Sequence, residues 1–162
     1  MKQIVLILCV GVALLTAGNA VPAEPSKGQL VYVPAYSHIF GGDREHPFYL
    51  TVTLSIRNVN LEQGIFLESV AYYDSKGNRV REYLDEPERL LGLESRYFVV
   101  KESDKTGGVG AHFIVRWSAT SLVSPPIIQA VMIGTRSQQG ISFTTSGRAI
   151  TAGDQSHSGG TP

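Results

Sequence analysis

Cysteine is almost missing from this sequence. The single cysteine among the 162 residues, Cys9, lies in an apolar run close to the amino terminus, and no small residue directly precedes it. The chain after Cys9 therefore offers neither a disulfide nor a thiolate nucleophile. Its fold must depend on the burial of apolar side chains, for which a domain of about 140 residues is large enough.

An excess of positive charge is missing too. The sequence has 14 lysines and arginines against 14 aspartates and glutamates, and no basic stripe runs along it. Nucleic-acid binding requires cations that neutralise phosphate groups. We therefore expect no nucleic-acid partner.

A short apolar segment opens the chain. Lys2 precedes an apolar run at residues 4–17, and the small residues that follow fit a cleavage site after Ala20. The run is shorter than the roughly 20 residues that a membrane-spanning helix needs. We predict a signal peptide over residues 1–20, and hence an exported protein, periplasmic or secreted, with no transmembrane segment in the mature chain. A retained amino-terminal anchor is the alternative.

Polar segments border a single predicted domain. Residues 21–28 (VPAEPSKG) are typical of a linker, and residues 151–162 (TAGDQSHSGGTP) are typical of a disordered tail. Between them, residues 29–150 contain short runs of β-branched and aromatic residues separated by glycine, proline or aspartate. These residues are predicted to form one β-domain.

The clearest strand pattern lies at residues 48–56 (FYLTVTLSI), where apolar and more polar side chains alternate as in a half-buried strand. A helical turn is predicted at residues 85–91, because Pro87 suits a first helical position. The other predicted strands are residues 30–40, 65–73, 79–84, 91–101, 112–117, 127–135 and 140–145. About seven to eight short strands predict an all-β fold, a two-sheet antiparallel sandwich of immunoglobulin-like type, with a small barrel as the second choice.

The turn DSKG predicts a hairpin between residues 65–73 and 79–84. Asp74 can accept hydrogen bonds from backbone amides of the turn. Gly77 can adopt the positive φ that closes a bulged hairpin.

The segment GGVGAHFIVRW, residues 107–117, has glycines like those of a phosphate-binding loop. Such a loop needs a helix and a lysine after the glycines, whereas the residues here favour a strand and no lysine follows. We interpret the segment as a turn that enters a strand. In that strand Trp117 lies on one face and His112 on the other.

Residues of metal-binding type occur in SHIFGGDREHPF. His38, Asp43 and His46 are ligand types for zinc or copper, yet they lack a tight metal-binding spacing, and a solvated loop is the simpler interpretation. No G-x-S-x-G elbow for a nucleophilic serine occurs. We expect no cofactor.

Aromatic side chains provide the other candidate site. Exposed aromatic rings on a sheet can stack on sugars or anchor a protein partner. Tyr49 lies on the polar face of the clearest strand, and we select Tyr36, Tyr49 and Trp117 as candidate binding residues. For Trp117 we favour a role as a core anchor over ligand stacking.

Five segments occur in an order that resembles a known family. They are VYVPAYSHIF, LTVTLSIRN, VAYYDSKGNRV, GAHFIVRW and AVMIGTRSQQGISFTTSGRAI. Over residues 30–150 the chain resembles the bacterial family numbered 3124 among domains of unknown function. The resemblance implies a bacterial, exported, single-domain protein and carries no activity.

We therefore predict an exported, non-catalytic binding or interaction module of the bacterial envelope. Its partner would be an envelope protein, which could add a strand to an exposed sheet edge, or a glycan. The alternative is a small metal-dependent or hydrolytic periplasmic enzyme that uses the loop with His38, Asp43 and His46.

Overall fold

The computed structural model describes residues 24–41, 43, 45–135 and 140–151. These residues form strands joined by turns, and no helix occurs among them. The strands are β1 (Ser26–Pro34), β2 (His38–Gly41), β3 (His46–Tyr49), β4 (Thr51–Arg57), β5 (Ile65–Tyr73), β6 (Arg79–Glu82), β7 (Glu88–Leu90), β8 (Ser95–Val100), β9 (His112–Val123), β10 (Ile127–Gly134), β11 (Ile141–Ser146) and β12 (Arg148–Ala149).

Two sheets pack face to face. The larger sheet has the strand order β12-β1-β9-β5-β6, with β7 also paired to β5, and the smaller sheet has the order β11-β10-β4-β8. A separate hairpin contains β2 and β3. Every pairing between these strands is antiparallel. The predicted all-β, two-sheet antiparallel sandwich is confirmed.

The core lies between the two sheets and follows from the alternation of side chains. In β4 the apolar positions are buried, and the threonines and serine between them are partly exposed. In β9 the buried positions are Phe113, Val115 and Trp117, and Trp117 is only 1% exposed. Because these side chains meet those of the opposite sheet in one cluster, Trp117 is a core anchor.

Two predicted strands are each divided into two. Residues 30–40 give β1 and β2, because the amides of Ala35 and Ser37 leave the ladder and donate to the carbonyls of Ala111 and Gly108. Residues 48–56 give β3 and the start of β4, because the Leu50 amide donates to the Ser37 carbonyl. At this end of the sandwich the chain therefore leaves the pairing of β1 with β9, forms the hairpin of β2 and β3, and then enters the smaller sheet as β4.

The helical turn predicted at residues 85–91 is wrong. The structure has β7 here, antiparallel to β5, with Leu90 opposite Ile65. Leu90 and Ile65 are both buried. Pairing with β5 and burial of Leu90 outweigh the preference of Pro87 for a helix start.

The hairpin predicted from DSKG is confirmed. The Asp74 carboxylate accepts hydrogen bonds from the amides of Lys76 and Asn78, both at 2.8 Å. Gly77 has a φ of 82°. β5 and β6 pair on either side of this turn, and their register shifts beside it, as in a bulged hairpin.

The glycine segment before β9 is a turn that enters a strand, as predicted. Gly108 has a φ of 82°. The Gly107 carbonyl accepts hydrogen bonds from the Ser75 amide and hydroxyl, both at 2.9 Å. A side chain at Gly107 would overlap the Tyr72 hydroxyl, so this turn passes close over the core.

Several predictions fall outside the described residues. These are the signal peptide at residues 1–20, all but one residue of the tail at 151–162, and residues 136–139 between β10 and β11. Among the residues that the structure does describe, no helix has the length and apolar character required to cross a membrane.

Candidate functional site

The solvent-facing side of the larger sheet carries aromatic, apolar and basic side chains from neighbouring strands. These side chains alternate with the buried ones in β1, β9 and β5. We call this surface the outer face, defined by Leu30, Tyr32, Tyr73, His112, Ile114, Arg116 and Arg148. It is the candidate functional site.

Three rings of the outer face form what we call the aromatic stack. The His112 ring lies between those of Tyr32 and Tyr73, with centroid distances of 4.6 Å and 5.3 Å and interplanar angles of 25° and 5°. All three side chains are half-buried. The register explains the arrangement, because His112 is directly opposite Tyr73 and is diagonal to Tyr32, which faces Ile114.

A depression of about 230 Å³ adjoins the stack at Tyr32. Its other lining residues are Arg148, Ala149 and Ile150. Arg148 is directly opposite Tyr32 on β12, whereas His112 approaches Tyr32 from β9 on the other side. We call it the Arg148 depression, and a ligand bound in it would lie against both Tyr32 and Arg148.

A second depression of about 410 Å³ lies further along β1. It is lined by Gly28, Gln29, Leu30, Glu68, Arg116, Trp117 and Ser118. The Ser118 hydroxyl donates a hydrogen bond to the half-buried Glu68 carboxylate. Bulges in β1 and β5 open the sheet here, because the register shifts between Ser26 and Gly28 and between Leu67 and Ser69.

Trp117 lies apart from the other two predicted binding residues. Trp117 faces the core and is closed to solvent. Tyr36 packs edge-on against Phe143 at 5.7 Å, and Tyr49 lies near His38, with the Lys105 ammonium 4.7 Å above its ring. Tyr36 and Tyr49 remain predictions as ligand contacts, but neither belongs to the outer face.

The predicted metal residues are spread along one hairpin. His38 is opposite Tyr49 and His46 is opposite Gly41, so three steps of the ladder, about 10 Å, separate the two histidine backbones. Asp43 lies in the turn between their strands. The His38 ring contacts the Ser37 hydroxyl and the Phe40 ring. Within the described ranges, no three His, Cys, Asp or Glu side chains form a group that could hold a metal ion.

Shifted pKa values occur around the loop between β8 and β9. Asp104 accepts hydrogen bonds from the Thr106 amide and hydroxyl and pairs with Arg81 at 3.3 Å. Partial burial opposes ionisation of Asp104, but these contacts outweigh it and its pKa lies below the usual value. Burial, with a further contribution from Asp104, raises the pKa of Tyr72. These interactions fasten the loop to the sheet.

Sequence reasoning missed most of the outer face. It placed His112 on the face of the strand that is opposite to the face with Trp117, which the structure confirms. It did not connect His112 with Tyr32, Tyr73 or Arg148. The alternation in residues 112–117 was the available signal for His112. The other three residues come from strands whose order in the sheet is not encoded by local spacing.

Comparison with known proteins gives one family and one distant structure. A family model described as "Protein of unknown function (DUF3124)" matches residues 28–150. The crystal structure of Thermotoga maritima 1070 is similar with a TM-score of 0.44 and 13% identity, covering 78% of this chain and 94% of that one. None of the curated proteins matches. Because the family model covers most of the sequence, the chain belongs to the DUF3124 family of proteins of unknown function.

Proposed function

We propose that this protein is an exported binding module of the bacterial envelope and that its ligand is a glycan bearing an acidic group. The ligand contacts the outer face at the aromatic stack and the Arg148 depression. The module acts by binding and not by catalysis. One observation carries the proposal: the stack of Tyr32, His112 and Tyr73 is continued by a depression that holds an arginine.

The chemistry of the depression matches the two parts of an acidic sugar. A tyrosine ring offers a flat apolar surface to the C–H face of a pyranose ring. An arginine guanidinium can pair in a bidentate manner with a carboxylate and with a phosphate. Tyr32 and Arg148 are directly opposite each other on paired strands, so one monosaccharide unit can reach both side chains.

The stack also prepares the site before a ligand arrives. The Tyr32 ring stacks on the His112 ring, and the His112 ring stacks on that of Tyr73. The Nδ1 atom of His112 also lies 3.3 Å from the carbonyl oxygen of Gly110. A ring that is already fixed loses little conformational freedom on binding. This favours recognition of a rigid ligand such as a sugar ring.

Export is supported by the opening of the sequence. Residues 4–17 are apolar, Lys2 precedes them, and small residues surround Ala20. Acidic glycans are components of the bacterial envelope, so an exported domain would meet this class of ligand. Mass spectrometry of the protein recovered from an expressing bacterium tests export. Export predicts that the protein is found in the envelope fraction and that its amino terminus is Val21.

Calorimetric titration with acidic and neutral oligosaccharides tests the ligand. We expect binding of the acidic ones only, weakened about tenfold by Tyr32→Ala and about tenfold by Arg148→Gln. Tyr97→Ala is the matched control, because Tyr97 is 68% exposed and lies on the smaller sheet. Circular dichroism and urea unfolding establish that each variant remains folded.

Two results would contradict the proposal. One is equal binding by the Tyr32→Ala, Arg148→Gln and Tyr97→Ala variants, since the outer face would then not contribute. The other is failure of every acidic glycan to bind while an envelope protein is captured on the outer face. That outcome would make the module a protein-binding one.

A further inference from the structure

One end of the sandwich presents three leucines to solvent. Leu61 is 77% exposed, Leu91 52% and Leu93 63%. They belong to the connections that follow β4 and β7, and we call them the leucine tip. Large apolar side chains that are grouped on exposed loops indicate a binding surface.

The loops of the leucine tip are fixed by a buried hydrogen-bond network. Asn58 is buried and donates through its side-chain amide to the carbonyls of Gln63 at 2.7 Å and Leu91 at 2.9 Å. The Leu93 amide donates to the Asn60 carbonyl at 3.0 Å, and Leu93 has a φ of 62°. A positive φ is unfavourable for leucine. The hydrogen bonds of this loop therefore hold Leu93 in a backbone conformation that leucine disfavours.

Both ends of the described chain lead toward the leucine tip. Ser26, at the start of β1, pairs with Val123, and the adjacent Ser124 exchanges hydrogen bonds with the Asn60 side chain at 3.0 Å. The described chain therefore begins at this end, and the apolar run of residues 4–17 precedes it in the sequence. β12 is antiparallel to β1, and the Ile150 amide donates to the Leu30 carbonyl, so residues 148–150 run toward the same end.

We infer that the leucine tip inserts into the surface of a lipid bilayer. The apolar run of residues 4–17 engages the membrane during export and precedes the domain at this end, so the leucines face the bilayer at the moment of cleavage. The inference goes beyond the proposed function and does not require the glycan.

This orientation would leave the aromatic stack accessible. His112 and Tyr73 pair at the end of β9 and β5 opposite to the leucine tip. The strand β1 spans nine residues between the two ends, or about 26 Å. A domain docked by its leucines would therefore hold its outer face away from the bilayer and toward the surrounding envelope.

Fluorescent labelling of the processed chain, which begins at Val21 and has no cysteine of its own, tests the insertion. An environment-sensitive fluorophore is attached to Leu61→Cys or, as a matched control, to Phe40→Cys. Phe40 is another exposed apolar residue but lies in the hairpin of β2 and β3 at the opposite end. The proteins are added to vesicles of phosphatidylethanolamine and phosphatidylglycerol, some of which carry lipids with a nitroxide on the acyl chain.

We expect the nitroxide lipid to quench the label at position 61 and not the label at position 40. Adding Leu91→Ser and Leu93→Ser should remove most of the quenching at position 61, with the fold verified by circular dichroism. Equal quenching at both positions, or none at position 61, would overturn the inference. The inference would also be overturned if envelope extracts shielded the label at position 61 from solvent while the nitroxide lipid did not quench it. A protein would then cover the tip.

Discussion

At the scale of single residues, the contact between Gly107 and Tyr72 shows how the turn before β9 depends on the core. The Tyr72 side chain is fully buried, and its hydroxyl has no hydrogen-bond partner among the described residues. Gly107 leaves room for this hydroxyl, since a Cβ atom there would overlap it. Glycine is needed at this position for close packing, and not for a positive φ.

Gly107→Ala should therefore destabilise the protein by about 1–3 kcal/mol, because the added methyl group must displace a buried ring. Gly140→Ala is the matched control, since no atom lies within 4 Å of the new Cβ there. Urea unfolding of the two variants measures the difference. Equal stabilities for both would show that the turn can move away from Tyr72.

At the scale of elements, the β5–β6 hairpin joins local turn chemistry to a long-range sheet. The pKa of Asp74 lies below its ordinary value, chiefly because the Asn78 side chain donates a hydrogen bond to it, with further bonds from the Asn78 and Lys76 amides. The unfolded chain lacks these bonds. Protonation of Asp74 therefore favours the unfolded state.

This linkage predicts how stability depends on pH. The contribution of Asp74 is complete above its unfolded pKa, near 3.8, and is lost as the pH falls through the lower folded value. The difference in unfolding free energy between the natural chain and Asp74→Ala should be constant near neutral pH and shrink in acid. Urea unfolding over a pH series measures it. A difference that grows below pH 3.8 would contradict the assignment.

The same elements show how far sequence reasoning reaches. The hairpin at DSKG and the alternation in β4 and β9 were predictable, because each depends on residues close together in the chain. β7 was not, because its three residues are strand only through pairing with β5. The aromatic stack required the order β1-β9-β5 and its register, which local patterns do not contain.

At the scale of the whole molecule, the two proposed surfaces have different roles, one in ligand binding and the other in membrane contact. The leucine tip lies at the end where β1 begins, and the aromatic stack lies on the larger sheet toward the other end. The core between the sheets fixes both surfaces relative to each other without disulfides. A rigid domain of this kind can present a ligand site at a set distance from a membrane.

The central claim is that the outer face of the larger sheet is the ligand site. Amide chemical-shift mapping by NMR during titration with an acidic oligosaccharide tests it most directly. The account predicts shifts concentrated around Tyr32, His112 and Arg148 on β1, β9 and β12, with the smaller sheet unchanged. Shifts confined to the smaller sheet, or to the hairpin of β2 and β3, would contradict it.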